Sequence, residues 1–354
     1  MGQAGRCPSA ERRRNLRTRQ RHRGHARRLT LEGATVTEIG YHASHEQFAP
    51  SALLDYVKRA EAAGFDSAKS SDHFHPWASS QGQSGFAWSW LGAAMQATRF
   101  SYGMISAPGY RYHPAILAQA AATIGEMFPN RLWLALGSGE AINEAITGET
   151  WPDKPERNAR LLECVEITRA LFAGETVTHR GRVTVIEAKL YSLPTRPVPL
   201  FGAAVTPKTA SFVAGWADGL LTTGGDIESL KDVLEAFRSN GGAGKPVHVQ
   251  HALSWAETEE QAVSQALEQW GPVSAGGDLN WNVARPEDFD TIGKLCTEDS
   301  VRKSVAVSAD LGQHRQWLAD LAALDVSSIQ LHNVGHNQEA FIDVFGEKVL
   351  PQLR

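Results

Sequence analysis

The sequence predicts an α/β fold, a (β/α)8 TIM barrel with insertions at the C-terminal mouth, and three observations carry that prediction. From about Thr35, short apolar runs alternate with amphipathic segments, the pattern of parallel strands joined by crossover helices. The runs number eight, enough to close a barrel, whereas open doubly wound sheets more often use fewer. Polar residues also cluster just past the ends of several runs, which is where such a barrel assembles its site.

The strands are expected at Val36 to Tyr41, Asp66 to Ser70, Phe100 to Ile105, Arg131 to Leu136, Val198 to Gly202, Gly219 to Thr223, Val247 to Ser254 and Ser327 to His332. The segment Pro50 to Ala63 reads as a helix, with Leu53, Leu54, Val57 and Ala60 on one stripe and Gly64 as its C-terminal stop. Further helices are expected at Trp88 to Ala97, Pro114 to Phe128, Arg157 to Phe172, Pro207 to Trp216, Ile227 to Ser239, Glu259 to Trp270 and His314 to Leu324. Several open on Pro, whose missing N–H costs nothing in a first turn. Two longer stretches interrupt the rhythm, Gly174 to Pro197 and Gly271 to Ser308, and the second reads as an insertion covering the barrel mouth.

With 354 residues and 42% apolar composition, the chain can bury one large core, so residues 35–354 are expected to form a single domain. No stretch reaches the roughly 18 consecutive apolar residues of a bilayer-spanning helix, which predicts a soluble protein. Cys7, Cys164 and Cys296 form no Cys-x-x-Cys pair and are too few for a disulfide framework or zinc cage, so a reducing, cytoplasmic setting fits. Residues 1–34 are a different material. The first thirty residues hold ten Arg, no Lys and one Glu, a charge of +9 that leaves −13 for the rest of a chain of net charge −4. This lead lacks the residues for a core and is expected to be disordered and dispensable. It also lacks the apolar face of a transit helix, and no nucleic-acid partner is expected.

After the first run comes His42-Ala43-Ser44-His45-Glu46-Gln47-Phe48, and after the second Ser71-Asp72-His73-Phe74-His75-Pro76-Trp77. Gly137-Ser138-Gly139-Glu140-Ala141-Ile142-Asn143-Glu144 follows the fourth. Asp72-His73 beside Glu140 would supply an imidazole with an orienting carboxylate and a second carboxyl group across the mouth, a base and an acid for moving a proton with a hydride equivalent. Trp77 would add a flat face for a ring or a developing cation. A structural account fits the same residues equally, with Asp72 as a turn cap, His73 as a hydrogen-bonder and Trp77 as core. Gly137-Ser138-Gly139 offers N–H groups to a phosphate, but Ile142 breaks the G-x-G-x-x-G fingerprint, and a plain β-to-α turn explains the stretch as well. His73 and His75, with His251 and His332, define the alternative of a metal-dependent barrel hydrolase. The aromatic surroundings suit a planar ring better than a hydrated ion, so no metal is expected.

Together, Gly40 to Pro50, Ser71 to Trp77, Arg111-Tyr112-His113-Pro114 and Gly137 to Glu144 resemble the luciferase-like flavin and deazaflavin oxidoreductases. Within them the chain is similar to the glucose-6-phosphate dehydrogenases that use the deazaflavin coenzyme F420. The resemblance implies that His73 takes a proton from a substrate hydroxyl as hydride leaves for the cofactor. It likewise implies that Glu140 acts as acid at the ring and that Trp77 steadies the transition state. Asp72 and Asn143 would line the cofactor pocket and Glu46 the substrate pocket. Ile105, Ser106 and Ala107 would form the strained backbone behind the ring, with Gly137, Ser138 and Gly139 approaching the cofactor tail. A homodimer is implied as well.

The departures from that branch concern phosphate. A clamping Lys is replaced by Asp226, a clamping Arg by Ser304, and a second Lys falls near Thr291. Losing cations and gaining a carboxylate should repel a phosphate dianion, so a small non-phosphorylated organic substrate is expected. The chain also resembles a subgroup for which flavin mononucleotide (FMN) has been suggested, so FMN and F420 both stand as expected cofactors. Hydride-transfer dehydrogenase and monooxygenase chemistry stand with them. A non-catalytic flavin-binding protein is the remaining alternative.

Overall fold

All eight apolar runs become parallel strands, and in the computed structural model, which describes residues 37–354, they close on themselves. They are β1 (Glu38–Ala43), β2 (Ser67–Ser70), β3 (Tyr102–Ser106), β4 (Leu132–Leu136), β5 (Leu200–Ala203), β6 (Gly219–Thr223), β7 (Val247–Ser254) and β8 (Ser328–Asn333). Each pairs in parallel with the next, and β8 returns to β1 with Glu38 opposite Ser328. β1 starts later than expected, at Glu38; Val36 and the Arg-rich lead lie outside the described residues.

Alternation along each strand sends every second side chain into the barrel. On β3 to β6 these are Ile105, Trp133, Ala135, Phe201 and Leu221, one apolar cluster. Trp133 fits because its neighbour on β3 is Gly103, where a Cβ would fall inside the indole. On β7, β8, β1 and β2 the inward residues include Gln250, His332, His42 and Lys69, joined by hydrogen bonds. The interior is therefore apolar on one side and polar on the other.

The outer helices follow the expected segments closely. Pro50–Ala63 ends at Gly64 in the left-handed region (φ 97°), with the Gly64 N–H returning to Ala60 and Glu61 carbonyls. The others are Ala87–Ala97, Pro114–Met127, Lys154–Phe172, Pro207–Ala214, Ile227–Phe237, Glu259–Trp270 and Leu311–Ala322. One helix of the outer ring was not foreseen. Leu311–Ala322 precedes β8, and the helix that comes after β8 is Gln338–Lys348, which buries Phe341, Ile342 and Phe345. It packs on Pro50–Ala63 at Gly346, where a Cβ would strike the Ala63 carbonyl.

The two longer stretches differ in kind. Gly174 to Pro197 contains an antiparallel hairpin, Val177–Arg180 with Thr184–Ala188. Gly271 to Ser308 carries three short helices, Asp278–Asn282, Pro286–Gly293 and Glu298–Val301, and ends in a short strand, Ala306–Val307, beside β7. This insertion does cover the mouth: Ser79 donates to Asp290 from both its N–H and its hydroxyl, and the Trp151 indole donates to Trp281 O at 3.0 Å.

Candidate active site

The loops after β1 and β2 are tied together, which brings Glu46 to His73. The Ser71 N–H donates to Ala43 O at 3.2 Å, and the His45 N–H donates to Ser71 Oγ at 2.9 Å. Ser44 and Ser71 both donate their hydroxyls to Glu46 Oε2, at 2.9 and 2.5 Å. The other oxygen, Oε1, lies 3.3 Å from His73 Nε2. Glu140 Oε2 stands 3.6 Å from the same nitrogen.

These two carboxylates differ in electrostatic state. Burial pushes Glu46 upward, but the His73 imidazole and the Ser71 hydroxyl outweigh it and hold the group at about 2. Glu140 is raised above the usual carboxylate range, first by burial and then by the charge on Glu46, against the pull of His73, Arg111 and Lys154. It is also the more open of the pair, with 23% of its side chain exposed against 6% for Glu46. One imidazole nitrogen thus faces two carboxylates whose acidities are pushed in opposite directions.

Asn143 holds the other side of the ring. Its Nδ2 lies 3.2 Å from His73 Nδ1 and 3.3 Å from Glu140 Oε2, while its Oδ1 accepts the Phe74 N–H at 2.9 Å. His73 Nδ1 is also 3.2 Å from His75 O. A donor and an acceptor therefore flank the same nitrogen, so the ring is supported whether or not Nδ1 carries a proton. Asn143 sits on the one-turn helix Ala141–Glu144, after the Gly137-Ser138-Gly139 turn.

Asp72 is not the orienting carboxylate expected from its place in the sequence. Its Oδ2 accepts from Ser106 Oγ at 2.6 Å, and its Oδ1 accepts from Tyr112 Oη at 2.9 Å and Arg111 Nη1 at 3.3 Å. Adjacent residues of an extended segment point apart, so Asp72 turns to the loop after β3 while His73 turns to the mouth. Glu144 completes that cluster by accepting the Arg111 N–H at 2.9 Å, and burial raises it to about 7. The sequence reading missed the roles of Arg111, Tyr112 and Glu144, although Arg111-Tyr112 lies in a stretch it singled out.

Trp77 is buried and 5.0 Å from the His73 ring, between centroids. Phe289, from the insertion, meets it edge-on at 5.3 Å, and Ile142, Val273, Val283 and Ile292 complete an apolar wall. Nothing in the aperiodic insertion sequence marked Phe289. The metal-site alternative finds no convergent ligands: His75 Nδ1 is 2.8 Å from Ile142 O, His251 Nδ1 is 3.0 Å from Gly224 O, and His332 Nε2 is 2.8 Å from Gln47 Oε1. Among the described residues, no three His, Cys, Asp or Glu side chains are grouped to share an ion.

Residues 31–328 match the luciferase-like monooxygenase family. The chain belongs to that family. It is 34% identical over 327 residues to an F420-dependent glucose-6-phosphate dehydrogenase of Microbacterium testaceum, covering 89% of this chain and 97% of the relative. A protein of the same description from Amycolatopsis mediterranei is also 34% identical, over 90% of this chain and 99% of its own. Among solved structures, an F420-dependent secondary alcohol dehydrogenase in complex with an F420-acetone adduct superposes with a TM-score of 0.83. Its identity is 31%, over 90% of this chain and 99% of that one. This luciferase-like protein is thus a flavin or deazaflavin oxidoreductase.

The residues expected to back a planar ring lie at the ends of β3 and β4. Ile105, half-buried, caps the apolar cluster of the barrel interior and offers a flat floor beside Ala107. Ser106 donates its hydroxyl to the buried Asp72, and Asn143 accepts the Phe74 N–H nearby. The Ser106 carbonyl accepts the Gly137 N–H at 3.1 Å, and among the described residues no positive φ falls at Ile105–Ala107. Gly139 adopts φ 83°, where a Cβ would press on Trp151 and Glu144. Lys154 donates to Ser138 Oγ at 2.7 Å beside that turn.

The three positions expected to lack phosphate-clamping cations are Asp226, Ser304 and Thr291, and each is engaged locally. Asp226 caps the helix Ile227–Phe237 by accepting the Ser229 N–H at 2.8 Å, a bond that lowers its pKa and keeps it charged. Ser304 lies 2.9 Å from Ser274 Oγ, and Thr291 donates to Glu287 O.

Proposed function

We propose that this enzyme is an F420-dependent dehydrogenase that oxidises small, non-phosphorylated secondary alcohols. The observation that carries the reading is His73 Nε2 flanked by Glu46 at 3.3 Å, held at about 2, and by Glu140 at 3.6 Å, raised above the usual carboxylate range. The bound deazaflavin would supply the two-electron acceptor for the substrate's hydride. His73 takes the hydroxyl proton at Nε2, and Glu46 balances the imidazolium that forms. Glu140, raised above the usual carboxylate range, would serve as the acid at the mouth, and Trp77 with Phe289 walls the site against water. Ile105, Ser106, Ala107, Asp72, Asn143 and the Gly137-Ser138-Gly139 turn would hold the ring and its tail.

Two relatives described as F420-dependent dehydrogenases, and a solved neighbour described as a secondary alcohol dehydrogenase, support this choice over FMN and oxygenation. Asp226, Ser304 and Thr291 support a substrate without phosphate. Residues 35–354 act as one domain and the lead is dispensable. The enzyme is cytoplasmic and binds no nucleic acid, in keeping with three scattered cysteines and the absence, among the described residues, of a membrane-crossing helix. It works as a homodimer, for which the exposed Phe86 and Ile116, beside Trp88 and Ile124, offer an apolar face.

Separate titrations with F420 and FMN, followed by absorbance and fluorescence, test the cofactor, and F420 reduction by 2-propanol tests the reaction. Tight F420 binding with alcohol-dependent reduction is expected, and His73→Ala should lower turnover by about 10²-fold with folding intact. Binding of FMN alone, or F420 binding without oxidation of any secondary alcohol, would sink the proposal.

A further inference from the structure

Two cations beside the Gly137-Ser138-Gly139 turn have no counter-ion. Lys154 Nζ donates to Ser138 Oγ at 2.7 Å, and Arg157, 4% exposed, lies over the Trp151 ring at 4.7 Å from its centroid. Trp151 in turn stands against Gly139, where a Cβ would come within 3.0 Å of the indole. Arg157 Nη1 reaches Asn282 Oδ1 at 3.3 Å, and its buried Nε meets no acceptor among the described residues. No carboxylate among those residues lies within ion-pair distance of either cation, and Asp153, Asp278 and Glu140 act on Arg157 from farther away.

Other part-buried guanidinium groups of the chain have partners. Arg111 meets Asp72 and Glu144, and Arg160 meets Glu149. Arg131, with no carboxylate, donates to the carbonyls of Met95, Thr98 and Phe100. Arg157 has neither kind of compensation, and burying a guanidinium in that state is costly. An anion supplied from outside the chain would remove the cost. The start of the helix Lys154–Phe172 is not itself the site, since Asp153 already accepts the Glu156 N–H there at 3.1 Å. The two side chains are the site, three residues apart and so on one face of that helix. Ser138 Oγ accepts from Lys154, which leaves its own O–H to donate. A compact ammonium, a guanidinium with an unused Nε–H and a hydroxyl donor suit a phosphate ester.

We propose that Lys154, Arg157 and Ser138 form an anion site that holds the phosphate ester on the cofactor's ribityl tail, a group that F420 and FMN share. The proposal rests on the reading of the mouth as a flavin or deazaflavin site, but not on the choice between the two. Asp226, Ser304 and Thr291 offer a substrate phosphate no cation, so phosphate recognition in this enzyme falls to the cofactor.

Fluorescence titrations of the full chain with two pairs of probes test it: F420 against the same deazaflavin cut back to its ribityl chain, and FMN against riboflavin. Within whichever pair binds, the wild type should prefer the phosphorylated member by about 10²-fold. Lys154→Met and Arg157→Met should each reduce that preference by about 10-fold, with affinity for the tail-free member unchanged. Arg157→Lys should recover part of the loss, because it restores the charge without the planar fork. If Arg157→Met does not fold, Lys154→Met decides, because Lys154 is an exposed residue. Equal binding of both members by the wild type overturns the proposal, as does a Lys154→Met variant that weakens both members alike. A preference for FMN over riboflavin without F420 binding defeats the choice of F420 and upholds the site. Binding of neither pair overturns both.

Discussion

Glu46→Gln isolates the charge beside His73 from the shape of the site. The amide can keep an oxygen for the hydroxyls of Ser44 and Ser71, which places its NH2 group against His73 Nε2, where it blocks the lone pair that would take the substrate proton. The imidazolium formed in turnover also loses its counter-charge. For a unit pair at 3.3 Å, an effective dielectric of ~20 gives about 5 kcal/mol. Glu140, slightly farther away, replaces part of this when it ionises. A loss of ~3 kcal/mol is expected, or about 10²-fold in alcohol-dependent F420 reduction. Stability supplies an independent arm. Glu46 is depressed from 4.5 to about 2 in the folded chain, so its stabilisation is full above the unfolded value and is lost as pH falls from 4.5 towards 2. Urea midpoints of wild type and variant should therefore differ at neutral pH and converge in acid. Near-wild-type turnover in a variant that still binds cofactor, or a stability gap independent of pH, would refute this reasoning.

The same geometry sets three further outcomes. Glucose 6-phosphate at millimolar concentration should not reduce F420, because Asp226, Ser304 and Thr291 offer a phosphate no cation; measurable turnover would restore the phosphate site. Phe289→Ala should cost ~3 kcal/mol of stability in chemical denaturation and lower KM for bulkier secondary alcohols, since it opens the wall over Trp77. Gly103→Ala should lower the melting temperature by the equivalent of roughly 1–3 kcal/mol or more, because the new methyl group must displace the Trp133 ring from the barrel interior.

The barrel was legible because its strands are buried on both faces and stand out as compact apolar runs. The final helix was not, although Phe341, Ile342 and Phe345 carry a helical stripe: the helix at Leu311–Ala322 had filled the count while lying before β8. In the site, Glu46, His73, Trp77, Glu140 and Asn143 do converge. Which carboxylate faces His73 was not readable, because covalent proximity suggested Asp72 while the strand geometry turns it away.

The division of the barrel interior links these observations. Under the floor formed by Ile105, the inward residues of β3 to β6 are apolar, so nothing there competes with a flat ring for hydrogen bonds. Under Glu46 and His73, the inward residues of β7, β8, β1 and β2 are hydrogen-bonded polar groups. A reaction that parts a hydride from a proton needs both environments side by side: a low-polarity face that takes the hydride acceptor, and a polarised face that stabilises the charge left by the proton. The β2 loop, which carries His73 and Trp77, stands at the seam between the two halves. A substitution that moves polarity across the seam, such as a buried amide at Ala135, should therefore weaken cofactor binding before it affects proton transfer.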